Sequence, residues 1–224
     1  MHLASFIENG FTLVPKVLQV EACISIAAHI SSTHATAAGT RCLLAQEWCQ
    51  SLAGQLRENQ ALSMLIPKDF VAVQCTYFEK SPLQNWLVAI HQDLSIPVAE
   101  RVLHSELTGW SEKEGFIFVQ APDEILEKII AVRVHLDDCA EVDGPLRIIP
   151  GSHNRGRIPS DQAALARSES REVTCIASLG DALVMCPLLL HASSKAQGTS
   201  RRRVLHFVFG PRELTHGLRW RYAI

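Results

Sequence analysis

The sequence has no Cys-x-x-Cys pair, although it contains seven cysteines among its 224 residues. An odd number of cysteines without paired spacing argues against a disulfide framework and against a zinc–sulfur site. We therefore expect reduced, mostly buried thiols, which are typical of a cytoplasmic protein. The cysteines are Cys23, Cys42, Cys49, Cys75, Cys139, Cys175 and Cys186.

Long apolar runs and a strong charge of either sign are also missing. No stretch is apolar for long enough to cross a bilayer, and the N-terminus lacks the basic region and apolar core of a signal peptide. The formal net charge is only −2, so charge gives no reason to expect nucleic acid or an acidic membrane surface as a partner. We expect a cytoplasmic protein, monomeric or homodimeric, without nucleic-acid or membrane partners.

The chain shows no internal repeat, low-complexity segment or linker, so residues 1–224 are expected to form a single domain. Apolar residues at helical spacing predict helices over 18–31 and 42–58, within a helical N-terminal part of about residues 1–68. Runs of β-branched and aromatic residues between turn signals predict a strand-rich core over about 70–210. The predicted strands are 70–78, 85–91, 116–119, 130–137, 145–149, 172–178, 182–186 and 202–209. This pattern favours a mainly β fold with flanking α-helices, a jelly roll of two packed sheets; a sandwich without a binding mouth is the alternative.

The clearest chemical signal is the motif His91-Gln92-Asp93, at the end of the apolar run 86–90. A further histidine, His191, follows three leucines far along the chain. Two histidines and one carboxylate form the facial triad that holds non-haem Fe(II) and leaves positions open for an oxidant. A guanidinium at Arg202, soon after His191, could bind the carboxylate of a keto-acid co-substrate through two hydrogen bonds.

Strand geometry supports the motif, because side chains alternate between the two faces of a strand. If residues 85–93 are extended, Leu87, Ala89, His91 and Asp93 share one face, so one strand end supplies two adjacent ligands. His191, at the end of a strand-like segment over 182–190, would supply the third ligand.

A second His-x-Asp motif, His135-Leu136-Asp137, follows the predicted strand over 130–137 and competes for the same role. Spacing alone does not decide between the two motifs. If the second motif does not bind metal, we expect a polar strand face on which Arg133, His135 and Asp137 pair with one another.

A resemblance decides between them. From about residue 70 onward, the chain resembles the phytanoyl-CoA dioxygenase family of Fe(II)- and 2-oxoglutarate-dependent oxygenases. The matching segments are Phe78-Glu79-Lys80-Ser81-Pro82, Asn85-Trp86, His91-Gln92-Asp93, residues 143–153, Gly180-Asp181-Ala182-Leu183, His191-Ala192-Ser193 and Arg202-Arg203-Val204-Leu205-His206. In that family the His-x-Asp ligands lie well before the segment that corresponds to 143–153, as His91 and Asp93 do and as His135 and Asp137 do not.

The resemblance implies a double-stranded β-helix, with Fe(II) held by His91, Asp93 and His191. It places the far carboxylate of 2-oxoglutarate at Arg202, and Ser193 and Gln74 are candidates for further contacts with the co-substrate. Lys80 and Trp86 also match the family, and a purely structural role is one interpretation of both.

The implied reaction uses O2 to hydroxylate or desaturate a small-molecule substrate, with succinate and CO2 as co-products. The carboxylate at Asp93 favours these outcomes over halogenation, because related halogenases lack it. Two alternatives are a non-catalytic ligand-binding or sensing protein on the same fold and a cupin-type metalloenzyme that does not use 2-oxoglutarate.

Substrate contacts are expected from two loops, 94–115 and 154–170. The first loop carries His104, Glu106 and Trp110, and the second carries Arg155 and Arg157. These side chains could bind an acidic group or remain in solvent, so they do not identify the substrate.

Overall fold

The computed structural model describes residues 2–33 and 39–224, in which strands predominate. The helices are α1 (His2–Asn9), α2 (Val20–Thr33), α3 (Glu47–Glu58), α4 (Asp123–Leu126) and α5 (Ser160–Ser168). The strands are β1 (Phe11–Val14), β2 (Gly39–Thr40), β3 (Phe70–Lys80), β4 (Val88–His91), β5 (Ser95–Val98), β6 (Thr108–Lys113), β7 (Phe116–Gln120), β8 (Ile130–His135), β9 (Leu146–Ile148), β10 (Val173–Cys175), β11 (Ala182–Met185), β12 (His191–Ser193) and β13 (Arg202–Pro211).

Three antiparallel sheets organise these strands. A six-stranded sheet has the order β1-β11-β8-β13-β3-β2, and a four-stranded sheet has the order β10-β9-β12-β4. A smaller sheet, β5-β7-β6, carries the hairpin of residues 108–120. The two larger sheets form the predicted jelly roll, and the mainly β class with flanking helices is confirmed.

The main hydrophobic core lies between the six-stranded sheet and the helices. On α3, Cys49, Leu52, Ala53 and Leu56 are buried at helical spacing, so one face of the helix is apolar. They join a cluster that contains the odd-numbered residues 205, 207 and 209 of β13. Because strand residues alternate between faces, the even-numbered residues of β13 point into the space between the sheets.

The structure extends and corrects the predicted elements. Both predicted N-terminal helices are present, as α2 and as a 3-10 turn over Leu43–Ala45 followed by α3. The N-terminal part is not only helical, because β1 pairs with β11 at the edge of the large sheet. His191 does not end a strand over 182–190. Instead β11 ends at Met185, and His191 begins the separate strand β12 in the other large sheet.

The face assignment near the His91 motif was wrong. Leu87 and Ala89 point outward and are exposed, whereas Val88 lines the interior together with His91. The cause is an irregularity in the pairing of β4 with β12: His191 lies opposite His91, but Ser193 lies opposite Val88. One extra residue on β4 changes the face, as a β-bulge does.

The cysteines agree with the expectation of reduced thiols. All seven are free, and five of them are buried. In the described parts of the chain, no helix is both long and apolar enough to traverse a bilayer.

Two glycines should respond to substitution in opposite directions. Gly180 has φ +87°, and a Cβ there would lie 2.3 Å from the backbone oxygen of Leu18. Gly180→Ala should therefore lower the free energy of unfolding by about 2 kcal/mol or more, through backbone strain and this clash. Gly54→Ala, on α3 with nothing within 4 Å of the added Cβ, should raise it by about 0.5–1 kcal/mol. Urea denaturation measures both, and a stable Gly180 variant would contradict the geometry.

Candidate metal and co-substrate site

A cavity of about 430 Å³ lies between the two large sheets. The inward-facing residues of β3, at positions 74, 76, 78 and 80, line one wall. His91, Asp93 and His191 lie on the opposite side, with Trp86 and Val88 beside them. The fold therefore has the binding mouth that a closed sandwich lacks.

The three predicted ligands converge in this cavity. His91 Nε2 lies 3.6 Å from one Asp93 carboxylate oxygen, and His191 Nε2 lies 3.7 Å from the other. The two imidazole rings are 4.3 Å apart at their centroids. One ligand atom from each residue falls within 4.8 Å of the others, which is the grouping that one metal ion needs.

Backbone contacts fix the orientation of both rings. His91 Nδ1 lies 2.8 Å from the carbonyl oxygen of Ala89, and His191 Nδ1 lies 2.9 Å from that of Leu189. A carbonyl only accepts hydrogen bonds, so each Nδ1 carries the proton and donates. Each Nε2 is then left with a free lone pair directed at the cavity, as metal-binding histidines require.

Gln92, between the two ligands of the motif, fastens the motif to its surroundings. Its side-chain amide donates to the carbonyl oxygens of Gly156 and Leu188 and accepts from the backbone N–H of Ile158. The N–H of Asp93 donates to Pro187 O at 2.9 Å. The segment after β4 is therefore held against the turn that leads to His191.

The protonation states also suit a cation. Burial acts to raise the pKa of Asp93, but the nearby rings of His191 and His91 outweigh it, so this pKa lies well below its usual range. Burial lowers the pKa of His191 to about 4, which leaves the ring neutral near pH 7. Burial also acts to lower the pKa of His91, but the neighbouring Asp93 carboxylate outweighs burial and raises it. An ionised carboxylate beside a neutral histidine is a ligand set for a divalent metal.

The competing motif does not form such a site. Asp137 makes a bidentate ion pair with Arg203, with oxygen–nitrogen distances of 2.6 and 2.8 Å. His135 is buried in the interior, and burial lowers its pKa to about 3. The expected pairing among Arg133, His135 and Asp137 was wrong, because Arg133 contacts His206 instead.

Arg202 points into the deep end of the cavity, as its even-numbered position on β13 requires. Its Nη1 donates to Gly144 O at 2.6 Å, whereas its Nε is buried with no hydrogen-bond partner in the described residues. The adjacent arginines behave differently, since Arg201 pairs with Glu79 and Arg203 with Asp137. Arg202 is thus the member of this basic run that remains available to a ligand.

Ser193 and Gln74, the other two predicted co-substrate contacts, also line the cavity. Ser193 Oγ accepts from Lys80 Nζ at 2.8 Å, and Gln74 Nε2 donates to Thr76 Oγ1 at 2.8 Å. Lys80 lies directly opposite Arg202 in the pairing of β3 with β13, and its side chain is almost completely buried. Burial, together with the charge of Arg202, lowers the pKa of Lys80 to about 8.

Lys80 has more than the structural role considered from the sequence, because it belongs to the basic end of the cavity. Lys80 is an even number of residues from Gln74, so an extended strand places both on the same face, and this spacing could have identified Lys80 from the sequence. Arg133 and His206 also line the cavity, as neighbours on β8 and β13.

Of the two predicted substrate loops, only 94–115 lines the cavity, and it does so with residues other than those expected. From the first loop and the hairpin after it, Leu94, Ser95, Ile96, Lys113 and Phe118 line the cavity. His104 and Glu106 instead approach His216, and the His216 Nε2–Glu106 distance is 3.3 Å. Trp110 packs in a hydrophobic cluster and lies under Arg101. Arg157 pairs with Asp123 and does not line the cavity.

The fold and this side-chain arrangement define a jelly-roll protein with a two-histidine, one-carboxylate cluster in its cavity. The family model described as phytanoyl-CoA dioxygenase matches residues 6–204. The chain therefore belongs to the phytanoyl-CoA dioxygenase family, as the sequence motifs predicted. Fe(II) and 2-oxoglutarate, expected from the resemblance, are the cofactor and co-substrate of this family.

Individual relatives agree with this membership. The dioxygenase cnsJ of Penicillium expansum is 37% identical over 86 residues, which are 37% of this chain and 24% of that protein. The chain thus matches only about a quarter of the length of that relative.

Solved structures share the fold. The non-heme α-ketoglutarate-dependent epimerase SnoN from nogalamycin biosynthesis superposes with a TM-score of 0.70 and 16% identity, over 94% of this chain and 79% of that chain. HygX from Streptomyces hygroscopicus superposes with a TM-score of 0.66 and 16% identity, over 96% of this chain and 87% of that chain. HygX has also been solved with nickel and 2-oxoglutarate bound. At these identities the likeness supports the jelly-roll fold.

Proposed function

We propose that this protein is an Fe(II)- and 2-oxoglutarate-dependent oxygenase that hydroxylates or desaturates a small molecule, with succinate and CO2 as co-products. The observation that carries the proposal is the convergence of His91 Nε2, His191 Nε2 and the Asp93 carboxylate, with both Nδ1 atoms engaged by the backbone. These three residues would hold the iron on one face and leave the rest of its coordination open.

The other lining residues have roles that follow from their contacts. Arg202 would bind the far carboxylate of 2-oxoglutarate with its buried guanidinium, whose Nε has no hydrogen-bond partner in the described residues. Lys80 and Ser193, joined by a 2.8 Å hydrogen bond, would add a cation and a hydroxyl at the same end. Gln74 would orient the end of the co-substrate nearer the iron. When bound, the iron and co-substrate together would supply the oxidising chemistry, and the protein would supply positioning and a sheltered cavity.

Release of succinate tests the activity. Protein incubated with Fe(II), 2-oxoglutarate and O2 should form succinate and CO2, slowly without substrate and faster with the right small molecule. Asp93→Ala is the matched control and should form none. A folded protein that binds small molecules without making succinate would be a ligand-binding protein. Oxidation that does not need 2-oxoglutarate would favour a cupin-type enzyme.

The product distinguishes the type of oxidation. Asp93 would be the third protein ligand of the iron. Because that ligand is present, the site has no vacant protein position in which a halide could bind, so we expect an alcohol or an alkene. Label from 18O2 should appear in an alcohol product, diluted by any exchange with water. A chlorinated product from the unmodified protein, or an epimerised or cyclised product that gains no oxygen and no double bond, would contradict this part of the proposal.

Replacement of Gln92 should weaken the metal site without touching a ligand. Gln92→Ala leaves two carbonyls and one N–H without their buried partner, and each costs about 1–3 kcal/mol, so unfolding free energy should fall by about 3 kcal/mol or more. Iron affinity should fall about 10–100-fold, as for other outer-shell partners. Gln162→Ala, at an exposed site on α5, should change neither quantity. Equal behaviour of the two variants in denaturation and iron titration would refute this role of Gln92.

A further inference from the structure

The cavity carries more positive charge than the iron and co-substrate account for. Five cations line it, and Asp93 is the one carboxylate among the described lining residues; the cations are Arg41, Lys80, Lys113, Arg133 and Arg202. Of these, Arg41 is paired with Glu114. Fe(II) brings two positive charges and 2-oxoglutarate two negative charges, so loading the site leaves this excess unchanged.

Arg133 is the buried cation that the proposed co-substrate does not use. Its backbone lies opposite His206, four residues from Arg202 along β13, which is roughly 13 Å of strand, and the charge of Arg202 still acts on its guanidinium. The far carboxylate of 2-oxoglutarate is assigned to the Arg202 end, and the near carboxylate to the iron. Neither assignment gives Arg133 an opposite charge.

No carboxylate of the described residues forms an ion pair with Arg133; the charge of Asp93 acts on it, but that carboxylate is assigned to the iron. Arg133 Nη1 lies 3.0 Å from His206 Nδ1, and the Arg133 guanidinium stands 5.3 Å from the centroid of the Phe78 ring. Ion pairs in the described residues involve other arginines, such as Arg201 with Glu79 and Arg203 with Asp137. Burial, together with the charge of Arg202, lowers the pKa of Arg133 to about 10. A buried cation without an anion is unfavourable, so an anion entering the cavity would be stabilised there.

One wall of this part of the cavity is apolar, although Thr76 and Gln74 on β3 are polar. Ile96, Phe118, Leu126 and Ile129 lie on the side of the smaller sheet and α4, and Val208 lies on β13. This wall suits a hydrocarbon body, whereas Arg133 suits a charged end. Lys113, exposed on β6 and 5.3 Å from the Phe118 ring, adds positive charge along the same wall.

We infer that the substrate is an organic anion, with an apolar body against Phe118 and its neighbours and a carboxylate or phosphate group paired with Arg133. This inference rests on the proposed function, since it concerns the substrate of the same site. It assigns Arg133 to substrate recognition, separate from the Arg202 end that binds the co-substrate.

Matched probes of equal chain length test the inference. Protein loaded with Fe(II) and 2-oxoglutarate under nitrogen is titrated with hexanoate, hexyl phosphate and hexan-1-ol by calorimetry, while the visible charge-transfer band of the iron–2-oxoglutarate chelate is recorded. At least one anion should bind ten or more times as tightly as the alcohol, with the band retained. The hexanoate and hexyl phosphate arms distinguish a carboxylate from a phosphate.

Variants locate the effect. Arg133→Gln should abolish the preference for the anion while 2-oxoglutarate binds within about threefold of normal, and Arg133→Lys should restore part of the preference. Arg219→Gln, at an exposed arginine paired with Glu100, is the control and should behave as the native protein. Circular dichroism before titration restricts the comparison to folded variants, and Arg133→Lys serves if Arg133→Gln does not fold.

The outcomes separate this inference from the proposed function. Failure to form the chelate band would overturn the proposed function, and the inference with it. A normal band with no anion binding, or with equal binding of anion and alcohol, would overturn the inference alone. A full anion preference in Arg133→Gln would also overturn the inference alone. The inference would also fail if Arg133→Gln lost as much 2-oxoglutarate affinity as Arg202→Gln, because Arg133 would then bind the co-substrate and not the substrate.

Discussion

Alanine in place of His91, Asp93 or His191 is expected to abolish Fe(II) binding and turnover. Each variant removes one of three donor atoms that converge within 4.8 Å, so the loss should exceed the 10–100-fold that outer-shell changes cause. Equilibrium dialysis of Fe(II) under nitrogen measures the affinity, and succinate formation measures turnover.

The second His-x-Asp motif supplies the matched controls. His135→Ala and Asp137→Ala should retain iron, because His135 lies outside the cluster and Asp137 is committed to Arg203. Asp137→Ala should lose some stability, since it leaves that arginine without its partner. Iron bound normally by the His91 variant but lost from the His135 variant would overturn the assignment.

Arg202→Ala should raise the 2-oxoglutarate requirement a hundredfold or more while iron stays bound. Removing one partner of a buried charge pair costs about 3–5 kcal/mol, and Arg202 is buried with its Nε unpartnered in the described residues. Titration of the charge-transfer band under nitrogen gives the 2-oxoglutarate affinity directly, apart from turnover.

The neighbouring arginines test whether this effect is specific. Arg201→Ala and Arg203→Ala should change 2-oxoglutarate affinity far less, because these side chains pair with Glu79 and Asp137 and do not line the cavity. A similar loss in all three variants would indicate a general basic patch instead of one binding residue.

The chemistry of the site was more predictable than the geometry that presents it. The resemblance to the phytanoyl-CoA dioxygenase family selected His91, Asp93 and His191, which the structure brings together, and the structure separates Arg202 from its two neighbours as expected. Alternation failed on β4, where a bulge opposite β12 turned Val88 inward and Ala89 outward. A bulge depends on the pairing of two distant strands, so the local sequence of either strand does not reveal it.

Tertiary contacts also explain the residues that sequence reasoning weighed poorly. Lys80 lies beyond the predicted strand 70–78, whereas β3 extends to Lys80 and brings it into contact with Ser193 on the opposite sheet. Arg133 appears from its motif to pair with Asp137, but that carboxylate faces Arg203 across β13. The first substrate loop was correctly located near the cavity, yet its histidine and acidic residues turn toward His216. In each case the partner is distant in sequence.

A crystal structure with Fe(II) and 2-oxoglutarate bound under nitrogen tests the central claim most directly. The account predicts one metal ion bonded to His91 Nε2, His191 Nε2 and an Asp93 oxygen, with the far carboxylate of 2-oxoglutarate on Arg202. Metal at His135, or only at the surface group of His104, Glu106 and His216, or 2-oxoglutarate bound away from Arg202, would contradict it.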